Sequence, residues 1–214
     1  MPIYKCPKCG RTVEKPEGTY YCKVCGRGVI MQKLEDKPLS AVNLSQSPQE
    51  LAELDVSPLI KRAWRAAYPY IVRYARRYNV SVPEIRIVGT IKSDERYPLA
   101  QYSRPTKSIQ ISISKTKSLL VSETPSYGID TPFLIRDVLV FCILHEFYHH
   151  VQHEKGRYKE IELLIRAGRH EEAFYKRIDL EEEATAFARK VLKDMGISFS
   201  RIKYIAEKAT EGIL

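Results

Sequence analysis

Residues 138–153 read V-L-V-F-C-I-L-H-E-F-Y-H-H-V-Q-H, an apolar run that passes into a stretch crowded with imidazoles. Asp130 or Thr131 can cap a helix, Pro132 suits its first turn, and Phe133, Leu134, Val138, Phe141 and Leu144 follow, while Gly156 suits a stop just after Lys155. The segment is therefore predicted to be one helix. Just before the histidines it is apolar nearly all round, so the helix is predicted to be buried. Polar groups inside a buried helix need partners, because an unpaired one is costly there.

His145-Glu146-Phe147-Tyr148-His149 is an H-E-x-x-H. Four residues apart on a helix, His145 and His149 share a face and can grip one metal ion. Glu146, next to them, can take a proton from a water on that metal. A catalytic zinc usually has three protein ligands and one open position, so a third ligand is required. His153 lies two turns beyond His145, about 12 Å along the axis, and cannot meet both other imidazoles at one ion. His150 points to another face, and His170 is isolated. No glycine follows His149 soon enough to return a third histidine at metzincin spacing. The richer source is Asp179-Leu180-Glu181-Glu182-Glu183-Ala184-Thr185-Ala186-Phe187-Ala188. Three adjacent carboxylates there precede small residues that let one helix approach another closely.

With these residues the chain resembles the gluzincins, zinc peptidases whose third ligand is a Glu on a following helix. It looks most like the small ImmA/IrrE-like and minigluzincin group, whose second-helix pattern is approximately E-x-E-A-N-x-F-A. Glu181 to Ala188 matches that pattern with one exception, Thr185. The resemblance implies Glu181 as the third ligand. It places Thr185 behind a ligating histidine, where thermolysin-like chains carry an Asp, so the hydrogen bond there would carry no charge. It covers roughly residues 50–195 and implies a zincin domain with peptidase activity on a peptide or protein substrate.

Four of the five cysteines form Cys6-Pro7-Lys8-Cys9 and Cys22-Lys23-Val24-Cys25, each pair followed by a glycine; the fifth, Cys142, sits alone on the motif helix. Four thiolates at such spacing suit a closed, structural zinc site. Thr12-Val13 and Thr19-Tyr20-Tyr21 supply short strands around a turn at 15–18, and the unit resembles a zinc ribbon. A segment this short has too small a core to fold alone, so metal would supply its folding energy. Two zinc ions per chain are expected, one catalytic and one structural.

The reading is thus α+β: a zinc ribbon over 1–34, a Pro-containing linker over 35–48 and a mostly helical zincin domain over 49–214. Within that domain, helices are predicted at 49–54 and 57–78, with Pro69 kinking or splitting the second. Strands are predicted at 84–91, 99–103 and 108–114, forming a small antiparallel or mixed sheet on the motif helix; its edge could pair with an extended peptide. Residues 118–129 read as irregular and as overhanging the site. Helices are then predicted at 160–168, 171–176, 179–195 with Asp179 as its cap, and from Ser198 or Ser200 to about Gly212.

The chain has 35 Lys and Arg against 26 Asp and Glu, a net charge of +9. That permits contact with nucleic acid, through the basic ribbon or through helix 61–78, where Lys61, Arg62, Arg65, Arg73, Arg76 and Arg77 interleave with Trp64, Tyr68, Tyr70, Tyr74 and Tyr78. No apolar run approaches the roughly 20 residues that span a bilayer, and the first residues form no apolar leader. A cytoplasmic protein is expected, without membrane attachment. Only Asn43 and Asn79 are asparagines amid many Lys, Arg and Glu, which leans towards a thermophilic source. Two function classes follow. One is a zinc metallopeptidase with Glu146 as general base and Tyr127, Tyr148 or Tyr175 as candidate oxyanion donors. The other is a zinc-ribbon regulator binding nucleic acid or protein, its second zinc non-catalytic or latent.

Overall fold

A computed structural model describes residues 3–8, 12–14, 18–22, 25, 29–34, 54–91 and 98–209. The chain divides into two compact units, Met1–Gln46 and Ser47–Leu214. Cys9, residues 15–17 of the turn predicted at 15–18, the linker predicted at 35–48 and residues 49–53 of the helix predicted at 49–54 lie outside the described residues.

The first unit holds a three-stranded antiparallel sheet of β1 (Ile3–Lys5), β2 (Thr12–Glu14) and β3 (Gln32–Leu34), in the order β2-β1-β3. A further bridge pairs Tyr21 with Ile30. Among the described residues, Tyr4, Cys6, Cys22 and Met31 are buried, with Tyr20, Cys25 and Val29 against them. Tyr20 meets Tyr4 edge-on, with ring centroids 4.8 Å apart.

The second unit is mostly helical with one small sheet. Its elements are α1 (Ser57–Tyr78), β4 (Glu84–Val88), β5 (Ala100–Ser103), β6 (Ser108–Ser112), α2 (Ile113–Tyr127), α3 (Thr131–Glu154), α4 (Arg157–Arg166), α5 (His170–Asp194) and α6 (Phe199–Ala209). The sheet is mixed, in the order β4-β6-β5, with β4 parallel and β5 antiparallel to β6. Helix α3 is the axis of the unit. Every residue from Val138 to His145 is buried, as an all-round apolar run requires. Helices α1, α2, α5 and α6 and strand β5 pack around it. Among the described residues no helix is long and apolar enough to cross a membrane.

Several elements differ from the pattern reading. The alternation of 108–114 continues past the strand, but the Ser112 side chain accepts from the Lys115 amide at 3.2 Å. That cap starts a helix at Ile113, where a strand was predicted. Residues 118–127 are helical rather than irregular, because Thr116, Leu119, Leu120 and Glu123 recur at helical spacing on the buried face. The polar members Thr116 and Glu123 obscure that stripe in the sequence. Glu123 is buried because Lys208 of α6 reaches it at 2.8 Å.

The two helices predicted at 171–176 and 179–195 are one. Asp179 caps nothing; it lies exposed in the middle of α5. A buried stripe of Ala173, Leu180, Ala184, Phe187, Ala188 and Val191 holds the whole length to its neighbours. Pro69 likewise does not split α1. It faces solvent, while Ala67, Ile71 and Tyr74 anchor the helix on both sides of it.

Candidate metal centre

Helix periodicity places His145 and His149 one turn apart on the side of α3 that meets α5. Ala184 and Ala188, both fully buried, let α5 come close enough for Glu181 to reach across. His145 Nε2 and His149 Nε2 are 3.0 Å apart, and Glu181 Oε2 lies 3.1 Å from the first and 3.2 Å from the second. Ligand atoms around a tetrahedral ion with bonds of about 2.0–2.1 Å sit about 3.3 Å from one another. Glu182 and Glu183, the alternatives by sequence, do not join this group.

The protonation pattern fits a cation. Gln152, buried one turn beyond His149, donates its amide to the Leu180 carbonyl at 2.9 Å and to Glu183 at 3.2 Å. Its Oε1 therefore faces His149 Nδ1, at 2.8 Å, and must accept from it. With the proton on Nδ1, the Nε2 lone pair points at Glu181 and at the other imidazole. Three electron-rich atoms at this spacing repel unless a positive charge joins them. In the metal-free chain that charge is a proton: burial opposes charge on His149, yet its hydrogen bond to Glu181 and the charge of Glu146 outweigh burial and push it up to about 9. Burial also opposes charge on Glu181, but the hydrogen bonds from His145 and His149 prevail and hold its carboxyl well below the usual carboxylate range. The residues present suit a divalent ion.

Behind the ligands, Thr185 Oγ1 lies 3.4 Å from His145 Nδ1. Glu146 stands beside the group rather than in it. Its Oε2 accepts from the Tyr102 backbone amide of β5 at 2.7 Å. Burial raises its carboxyl, with the two histidines pulling the other way. The residue as a whole keeps some solvent exposure.

His150 and His153 serve elsewhere, as their helical phase requires. His150 Nε2 donates to the Ser81 carbonyl at 2.9 Å, so its Nδ1 accepts from the Tyr102 hydroxyl at 3.0 Å. The same hydroxyl then accepts from His153 Nδ1 at 2.9 Å. Burial keeps Tyr102 protonated, pushed up to about 12. This chain ties β5 to α3 at the point where the Tyr102 amide holds Glu146.

The three tyrosines named as candidate oxyanion donors make other contacts. Tyr148 stacks on Phe187, Tyr175 lies exposed beside Phe174, and Tyr127 packs on the main core. Tyr158 of α4 is the one that reaches it, its hydroxyl 3.1 Å from His149 Nδ1. Burial and the charges of Glu181 and Glu146 raise Tyr158, so it remains an O–H donor. Gln152, Tyr102 and Tyr158 escape sequence reasoning. The one available signal is Gln152, a polar residue at i+3 from His149 on an otherwise buried helix face.

In the first unit, Cys6, Cys22 and Cys25 form a second group able to hold a metal. Cys6 Sγ and Cys25 Sγ are 3.8 Å apart, which matches thiolates around an ion with Zn–S bonds of about 2.3 Å. Cys9, the expected fourth ligand, lies outside the described residues. Cys142 is remote in role: buried in α3, its thiol is pushed up by burial and joins neither group.

Comparisons with protein-family models, with curated proteins and with solved structures give no match to this chain.

Proposed function

We propose that the chain is a zinc metallopeptidase of gluzincin type. The observation that carries this reading is the convergence of His145 Nε2, His149 Nε2 and Glu181 Oε2 within 3.0–3.2 Å, with the Glu146 carboxylate alongside. Those three residues would hold the ion, leaving one position for substrate or water. Bound there, zinc supplies Lewis acidity toward a peptide carbonyl and a water molecule.

Glu146 is the general base. Held at Oε2 by the Tyr102 amide, it takes the proton of the attacking water and returns it to the leaving amine. Tyr158 donates to the carbonyl oxygen as negative charge develops, since His149 Nδ1 carries its proton towards Gln152 and cannot accept from the Tyr158 hydroxyl. Cys6, Cys22 and Cys25, with Cys9 as the expected fourth ligand, would make a closed structural zinc site in a ribbon-like first unit.

The test is cleavage of an unfolded protein by the zinc-loaded chain. Glu146→Gln should keep its zinc and lose cleavage; turnover equal to the parent's would refute the assigned base. Tyr158→Phe should keep zinc and slow turnover on the order of 100-fold. An unchanged rate would remove Tyr158 from the oxyanion role.

A further inference from the structure

Outside the metal centre, the strongest asymmetry is in the charge of α1. Its 22 residues contain six Lys and Arg and no acidic residue, in a chain whose whole excess is +9. The buried side of the helix is Leu59, Ile60, Ala63, Ala67, Ile71, Tyr74 and Ala75. At 100° per residue, Lys61, Arg65 and Arg76 fall on the opposite side, with Arg73 flanking them. All four are exposed.

Elsewhere in this unit several cations are matched across elements: Arg104 with Glu162, Lys107 with Glu154, Arg157 with Glu183, Lys176 with Glu160 and Lys208 with Glu123. By contrast, Lys61, Arg65, Arg73, Arg76 and Arg77 make no ion pair among the described residues. A stretch of unmatched like charge this long is unfavourable by itself and suits a polyanion.

An aromatic ring stands within the same face. Tyr68 is 46% exposed, enough to offer a ring to a ligand, and is propped by Trp64 with centroids 5.3 Å apart. Cations in a line beside an exposed ring suit a phosphate backbone whose bases can stack. An anionic membrane fits less well, because the apolar side of α1 is already committed to the core and has nothing to insert.

We propose that the outer face of α1 binds single-stranded nucleic acid, with Lys61, Arg65 and Arg76 on phosphates and Tyr68 stacked on a base. From Lys61 to Arg76 the line runs about 22 Å, the reach of several nucleotides.

The test is fluorescence anisotropy of the full chain with a labelled oligothymidine of about 20 nucleotides, between about 50 and 200 mM salt. The parent should bind with strong salt dependence. Lys61→Gln, Arg65→Gln and Arg76→Gln together should weaken binding more than about 10-fold and reduce the log–log salt slope by about 2. Tyr68→Ala should weaken it on the order of 10-fold with the slope unchanged. Zinc content and thermal midpoint report that these surface variants remain folded. Equal binding by the triple variant would place the affinity elsewhere and overturn the proposal. So would failure of the parent to bind at the lowest salt, capture by phosphatidylserine vesicles alone, or preference for a duplex with no effect of Tyr68→Ala.

Discussion

Gln152 has no place in the H-E-x-x-H motif, yet the metal centre leans on it. Its carbonyl end takes the Nδ1 proton of His149, while its amide end is anchored by the Leu180 carbonyl and Glu183. Glu183 is in turn paired with Arg157 at 3.0 Å. The orientation of one ligand is therefore set by a relay that spans α3, α4 and α5. Gln152→Leu keeps most of the volume but removes both ends. Zinc affinity, read by competition with a chromophoric chelator, should fall roughly 10- to 100-fold, the usual effect of losing a hydrogen bond behind a ligand. Affinity equal to the parent's would show that His149 needs no such partner. Glu181 illustrates the limit of reading at this scale. Of three consecutive carboxylates, spacing alone chooses none; the resemblance implies Glu181, and the packing phase of α5 is what brings it to the histidines.

Among the elements, the meeting of α3 and α5 decides whether a site exists. Ala184, three residues along α5 from Glu181, is fully buried. Ala184→Leu should push the helices apart, costing about 1–3 kcal/mol of stability by overpacking and weakening metal retention with it. A thermal midpoint and zinc content like the parent's would mean the contact is looser than the geometry indicates. The elements legible in the sequence are those whose pattern has one cause. Helix α3 is readable from its continuous apolar run, and α1 is readable too, because Pro58 directly after Ser57 suits a helix's first turn. Helix α2 was not, because it buries a glutamate matched by a lysine 85 residues later. The unbroken α5 was missed because Asp179 resembles a cap when its neighbours in space are unknown. The triad itself was legible because helical spacing alone sets two of its members. Its supports, Tyr102 and Tyr158, come from other elements and leave no local signature.

For the molecule as a whole, the two ligand groups belong to separate units. Each should load independently. The parent should carry about two zinc ions, and His149→Ala and Cys22→Ala about one each, by one ion per ligand set. Elemental analysis of the purified chains measures this directly. Loss of both ions from either variant would show that the units depend on each other for folding.

The ligands are not equally secure. His145 and His149 ride on the helix enclosed by most of the second unit, whereas Glu181 belongs to a part of α5 that shares a separate small cluster, Ile161, Ala173 and Leu180, with α4. Local openings follow such boundaries and require less free energy than global unfolding. A cation held here would thus have its residence time governed by breathing of the α4–α5 hairpin. Chelators should strip it from a protein that is otherwise still folded, with both imidazoles left in position to recapture it.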